Sequence, residues 1–219
     1  MRNLRLNPWF FLPYLLVLVA AGLYLSTHNK GDFLLWVNSH HTTALDNFFM
    51  LTNELGEGTF LLVATGAMLI FNRYGDALAG ALAWVAAGLI TQFLKRQVFH
   101  DYPRPARFFE GIKELYLVPG VHISEHFSFP SGHTTVAFAI CTVIALSVKN
   151  QRWGLFFIVM AIIAGLSRIY LAQHFLIDTF MGSIIGTAMG VIIYNAFHWY
   201  IDKRPNHLLN RNLLKSLKN

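Results

Sequence analysis

Long apolar runs alternate along the chain with shorter polar connections, and the runs have the length of membrane-crossing helices rather than of buried strands. Six candidate spans stand out, at residues 9–25, 59–71, 77–93, 133–146, 153–171 and 175–201. A helix of about 20 apolar residues crosses the ~30 Å hydrocarbon layer. On that scale 59–71 needs its flanks, whereas 175–201 is long enough to protrude or to begin in a polar cleft. Residues 31–56 mix Phe33, Leu34, Trp36, Phe48 and Phe49 with polar positions, the pattern of one or two amphipathic helices lying at an interface. Residues 96–130 form the longest polar connection and carry Pro103, Pro105 and Pro119; structured connections of this length are often functional. The expected fold class is all-α: an integral membrane bundle of six transmembrane helices with interfacial helices in the outer loops, one domain over 1–219.

Composition agrees with the pattern. Hydrophobic residues make up 55% of the 219 and charged ones 13%, against about 25% charged in soluble proteins. So few charges cannot cover the surface of a soluble fold. The first run resembles a signal-peptide core, but it is longer and further spans follow, so an uncleaved helix is expected. The single cysteine, Cys141, lies within an apolar run and excludes an internal disulfide.

A net charge of +6 invites a nucleic-acid reading. The cations, however, fall at segment ends instead of on one amphipathic face, as membrane topology places them. Arg2, Arg5, Arg73, Lys149, Arg152, Lys203, Arg204, Arg211, Lys215 and Lys218 share one side of a six-span topology. The positive-inside rule makes that side cytoplasmic, with both termini and the basic tail 202–219. Asp32, Asp46, Glu54, Glu57, Glu110, Glu114 and Glu125 fall on the other side, the periplasmic or exterior face of a cell (inner) membrane. In the last run, Gly182, Gly186 and Gly190 repeat every four residues, which lets helices approach closely within the bundle. Monomer and homodimer both stay open.

Ionisable groups beside membrane spans are functional hypotheses by default, and here they converge on the outer side in three clusters. The first is Lys95, Arg96, Arg104 and Arg107, with Pro103 and Pro105 bracketing Arg104. Cations that break the positive-inside trend call for an anionic partner, a substrate or a lipid headgroup. The second is Pro130-Ser131-Gly132-His133 at the head of the fourth span. Ser131 suits a helix N-cap, Gly132 permits close approach of a ligand or another backbone, and free N–H groups at a helix start bind phosphate. The third is Ser167-Arg168 followed by His174 and Asp178. Four residues apart, His174 and Asp178 share a helical face, so the carboxylate can fix one imidazole nitrogen and free the other as a nucleophile.

Together these motifs resemble the type 2 phosphatidic acid phosphatase superfamily, membrane lipid phosphatases related to the vanadium haloperoxidases. The resemblance rests on Arg104-Pro105, on Pro130 to His133, and on Ser167-Arg168 followed after five residues by His174 and after three more by Asp178. It implies a lipid phosphatase acting on a polyprenyl diphosphate or phospholipid phosphate, or on lipid A. No cofactor or metal is implied. His174 would attack phosphorus, Asp178 would orient it, and His133 would protonate the leaving oxygen and then activate water. Lys95, Arg104, Ser131, Gly132 and Arg168 would bind the phosphate. One departure stands out: the family's lysine lies seven residues before the Arg-Pro arginine, where this chain has Gln97. That leaves Lys95 or Arg96 for its role.

Other readings give less. Ten histidines suggest a metal, yet no HExxH pattern occurs, and His122, Glu125 and His126 accompany no acidic cluster at the phosphate-binding cations. His28, His100, His198 and His207 read as interfacial or tail residues. A non-hydrolytic transporter of anionic lipids explains the cations but not the histidine pair. A haloperoxidase is disfavoured because those relatives are mostly soluble. Phe108, Phe109, Phe127 and Phe129 either flank the entrance to the site or anchor the interface.

Overall fold

A computed structural model describes residues 6–204 and 207–213, and every regular element among them is helical. Arg2, Arg5, Lys215 and Lys218, with the end of the tail, lie outside the described residues. Among the described residues nine helices run in order: α1 (Pro8–Thr27), α2 (Asp32–Asn38), α3 (Thr43–Asn53), α4 (Gly58–Phe71), α5 (Tyr74–Phe93), α6 (Pro105–Phe108), α7 (Gly132–Ser147), α8 (Trp153–Tyr170) and α9 (Leu176–Ile201). A 3₁₀ turn, Glu54–Gly56, joins α3 to α4, and a π turn, Leu94–Val98, extends α5.

All six apolar runs are helical, but their lengths differ. Pro8–Thr27, Tyr74–Val98, Trp153–Tyr170 and Leu176–Ile201 are long and apolar enough to cross a membrane. Thr43–Gly56 and Gly58–Phe71 qualify only as a pair, bent by 63°. Gly132–Ser147 is apolar but, at 16 residues, spans only ~24 Å. The reason is position. Every residue of α7 from Thr134 to Ala145 is buried, so α7 is the hub around which α5, α8 and α9 pack. Leu12, Leu16 and Leu23 of α1, Leu62 and Val63 of α4, Leu89 of α5 and Ile192 of α9 point outward. Such an apolar belt is stable against lipid, not water.

The glycine stripe of α9 faces α7. A Cβ at Gly182 would lie 2.8 Å from the Ser131 carbonyl, and one at Gly190 2.7 Å from Thr142 Cβ; at Gly186 the Thr135 carbonyl is closer still. The stripe is therefore an internal packing seam.

At one end of the bundle, polar side chains lock the helices together. Asn7 caps α1 and donates to the Ala145 carbonyl at 2.7 Å. Asn72 Nδ2 reaches Ser147 at 3.2 Å, and Arg73 pairs with Asp202 at 3.1 Å. His198, read from sequence as an ordinary interfacial residue, is buried there with Nε2 2.7 Å from Asp76 Oδ1. Its helical position alone does not reveal a partner 122 residues away. At the other end, α2 and α3 form the amphipathic pair anticipated for 31–56. Asp46 of α3 accepts from Tyr170 at 2.6 Å and from Tyr116 at 2.7 Å, fixing α3 to the end of α8.

Candidate active site

The last turn of α8, a tight connection and the first turn of α9 bring Arg168, His174 and Asp178 together. The amides of Gln173 and His174 both donate to the Arg168 carbonyl, at 2.9 and 3.1 Å. The chain thereby reverses within a few residues, and Ala172 takes the left-handed conformation (φ 52°) to allow it. Asp178, in the first turn of α9, accepts from the Phe175 amide at 3.0 Å, a bond that also caps the helix.

Asp178 is fully buried, and its Oδ2 gathers three donors: Phe175 N–H, Ser128 Oγ at 2.5 Å and His174 Nδ1 at 3.3 Å. An oxygen so engaged offers lone pairs, so His174 carries its proton on Nδ1 and presents an unprotonated Nε2. Burial holds the His174 imidazole well below the ordinary histidine range, and the charges of Lys95, Arg104, Arg168 and His133 push it the same way. The His174–Asp178 contact is thus a hydrogen bond from a neutral ring rather than an ion pair.

The same influences show which residues share the space. Lys95 is 7% exposed, whereas Arg96 and Gln97 are exposed. Lys95 is the buried residue of the π turn that ends α5. The buried cation thus lies nine residues before Arg104, two more than the family spacing expects. Arg104 donates from Nη1 to Gln173 Oε1 at 2.8 Å and from Nε to the His126 carbonyl at 2.9 Å. Arg168 donates from Nη1 to Asn53 Oδ1, and its buried Nε–H has no partner. Among the described residues no carboxylate forms an ion pair with Lys95, Arg104 or Arg168. Three buried or half-buried cations without a direct ion-pair partner, one with an orphaned N–H, and with only Asp178 and Glu57 as nearby negative charges, suit an anion.

Ser131 caps α7, accepting from the Thr134 amide at 3.4 Å and from the Thr134 hydroxyl at 2.8 Å. Gly132 opens the helix, where first-turn N–H groups lack intrahelical partners. No second backbone packs on Gly132, one of the two roles its sequence position suggested. A Cβ there would find only Thr91 Cγ2, at 3.7 Å, so the space beside it is open. His133 follows, with Nε2 2.5 Å from Glu57 Oε1.

Other sequence candidates sit elsewhere. Arg107 donates to the His126 ring at 2.6 Å on the surface. Phe109 packs inward with Leu34, Ile169 and Phe175, and Phe129 lies edge-on to Phe99. No three His, Cys, Asp or Glu side chains gather into a metal-holding group among the described residues. A cleft of about 750 Å³ leads from the surface to Lys95 and Arg104, lined also by Gln92, His100, Ser124 and Phe127.

Four contributors escaped the sequence reading: Asn53, Glu57, Ser128 and Gln173. Gln173 and Ser128 lie beside recognised motifs and were within reach. Asn53 and Glu57 arrive from a distant segment, where the sequence marks Glu57 only as one of several loop acids.

Known proteins resemble this chain. Residues 76–202, more than half of the chain, match the PAP2 superfamily. Undecaprenyl-diphosphatase BcrC of Bacillus subtilis (strain 168) is 27% identical over 158 residues, covering 71% of this chain and 77% of that protein. Phosphatidylglycerophosphatase B of the same organism is 30% identical over 153 residues, covering 64% and 69%. The crystal structure of Aquifex aeolicus LpxE superposes with a TM-score of 0.67 at 28% identity, over 78% of this chain and 98% of that one. With the family match running from the middle of the bundle through both histidine motifs, this chain belongs to the PAP2 superfamily and is a phosphatase.

Proposed function

We propose that the chain removes phosphate from a membrane lipid, a polyprenyl diphosphate by preference or a phospholipid phosphate, through a phosphohistidine on His174 and without a metal ion. One observation carries the reading: a buried neutral His174, held through Nδ1 by Asp178, stands among Lys95, Arg104, Arg168 and His133. Phosphoryl transfer needs positioning and charge stabilisation above all. The three cations, with Ser131 and the Gly132 N–H, hold the phosphoryl oxygens. The lone pair of His174 Nε2 forms the N–P bond as the P–O bond to the lipid breaks. His133 gives a proton to the departing oxygen, while Asp178 stabilises the positive ring on His174. Water then attacks phosphorus, His133 takes its proton, and the N–P bond breaks to release phosphate.

The lipid class follows from placement. The phosphate site lies at the head of a short buried helix inside an apolar belt. A narrow apolar crevice of about 70 Å³ runs between α1, α7, α8 and α9, and Thr134, bonded to Ser131, forms part of its wall. A phosphate whose tail stays in the bilayer suits that geometry. In this reading all six apolar helices cross or enter the membrane. The end carrying Asn7, Arg73 and Asp202 faces the cytoplasm with both termini, and the site faces the periplasm or exterior of the inner membrane. Lipid A is the second substrate class, favoured by the likeness to a Lipid A 4'-phosphatase of Porphyromonas gingivalis, 27% identical over 180 residues, 77% of this chain and 72% of that protein.

The test is phosphate release by purified protein from a panel of diphosphate and monophosphate lipids with chelator present. Turnover persists under chelation, ranks polyprenyl diphosphate first, and vanishes in His174→Ala. Full turnover by His174→Ala removes the nucleophile assignment, and loss of activity on chelation removes the metal-free mechanism.

A further inference from the structure

Glu57 occupies the N-cap of α4, yet its side chain makes no bond to that helix's first turn. N-cap side chains ordinarily satisfy one of those free N–H groups. Glu57 instead turns across to α7 and places Oε1 2.5 Å from His133 Nε2. It does so at the point where α3 and α4 break, by 63°. The neighbouring backbone fixes the approach: a Cβ on Gly56 would lie 2.6 Å from His133 Cβ and 2.9 Å from its Cα. Only a glycine lets the turn press this closely on the histidine.

We propose that Glu57 is the positioning residue of the general acid, holding His133 by Nε2 so that Nδ1 delivers its proton to the leaving oxygen. An imidazole has two nitrogens, and a carboxylate on one fixes the direction of the other. The site then contains two such pairs of opposite sense. Asp178 holds His174 by Nδ1 and frees Nε2 for attack; Glu57 holds His133 by Nε2 and frees Nδ1 for proton transfer. The burial of the two carboxylates differs in a useful way. Asp178 is sealed from water, as suits a fixed orienting charge, whereas the Glu57 side chain is 44% exposed. A protonated imidazole beside three cations also needs a counter-charge, and Glu57 supplies it.

The inference rests on the assignment of His133 as acid, and its test separates the two. Two monoesters of equal charge and similar tail, dodecyl phosphate and a dodecyl-substituted nitrophenyl phosphate, differ in whether the leaving oxygen needs a proton. In Glu57→Gln, which keeps the size of a half-exposed side chain, kcat/KM for the alkyl ester falls roughly 10- to 100-fold. For the nitrophenyl ester it falls by no more than about threefold, because a phenolate leaves without help. In a His133→Ala background Glu57→Gln causes no further loss, since both act on one proton. Equal losses on the two esters, or additive losses with His133→Ala, overturn the role of Glu57 and leave the phosphatase reading standing. Turnover by His174→Ala, or none by the wild type on either ester, strikes that reading itself.

Discussion

The amide of Ser131 donates to the main-chain carbonyl of Asp178 at 3.0 Å. This bond ties the start of α7, where the phosphate is proposed to bind, to the start of α9, with the carboxylate that holds His174. The two motifs lie 47 positions apart in the chain and share one main-chain hydrogen bond. Their relative placement is therefore a property of the α7–α9 seam.

That seam admits no extra methyl groups. Gly182→Ala puts a Cβ 2.8 Å from the Ser131 carbonyl, on backbone that cannot rotate away. Overpacking of this kind destabilises by roughly 1–3 kcal/mol. A shift near 1 Å in a positioned group can reduce rate by about 100-fold. The expected result is a lower midpoint in detergent thermal unfolding together with a fall in kcat. Gly88→Ala, where the nearest contact is an ordinary 3.8 Å to Val136 Cγ1, leaves both near wild type.

Asp178→Asn tests charge apart from shape. Oδ2 takes all three donors while the buried Oδ1 has no partner. The amide oxygen of Asn can therefore occupy the Oδ2 position and keep every hydrogen bond, with its NH₂ in the vacant direction. The fold should persist, whereas the counter-charge to the phosphohistidine ring disappears. Turnover should drop by roughly 10²- to 10⁴-fold with a small change in thermal midpoint. An Asn variant retaining more than half of wild-type kcat removes Asp178 from the mechanism.

How far the site was legible depends on which kind of proximity carried it. Arg168, His174 and Asp178 occupy a helix end, a turn and a helix start, so local geometry gathers them and sequence spacing exposes them. Ser131, Gly132 and His133 are likewise one helix start. Lys95 was only half legible, because its spacing to Arg104 is two residues longer than the family's and only burial in the fold separates it from Arg96. Asn53 and Glu57 were illegible. They reach Arg168 and His133 across 115 and 76 residues of chain, and before folding nothing distinguishes them from other polar residues of an interfacial segment. The six apolar runs were legible from length and hydropathy. That α7 falls short of a full span was implicit in its 16 residues, but its burial at the centre of the bundle is tertiary.

Gln173 presents a smaller effect of the same type. Its Oε1 accepts from Arg104 Nη1 at 2.8 Å, and its Nε2 donates to the His122 carbonyl at 3.1 Å, so it braces the guanidinium against the outer loop. Gln173→Leu keeps the bulk and removes both bonds. A hydrogen bond to a charged group contributes about 1.5–3 kcal/mol. Steady-state kinetics should show kcat/KM reduced roughly tenfold, because the role proposed for Arg104 is to hold the phosphoryl group in ground and transition states alike. Most of the change should fall on KM. A drop confined to kcat contradicts a substrate-binding role for Arg104.

The pH response follows from the direction of the His174 shift. Its pKa in the folded protein lies well below 6.5, with burial the first cause and the neighbouring cations the second. The reactive, unprotonated form therefore persists as pH falls through 6.5, and the acid limb of kcat/KM attributable to this residue lies below that point. Between the folded and unfolded pKa values the unfolded chain binds the extra proton. Stability contributed by keeping His174 neutral is thus present above about pH 6.5 and declines as pH falls toward the folded pKa. Removing one of the cations reverses part of the shift. Lys95→Gln should move the acid limb to higher pH, toward the ordinary histidine value, in addition to weakening phosphate binding. A pH–rate profile of Lys95→Gln with its acid limb unmoved or displaced downward would show that Lys95 does not act on His174.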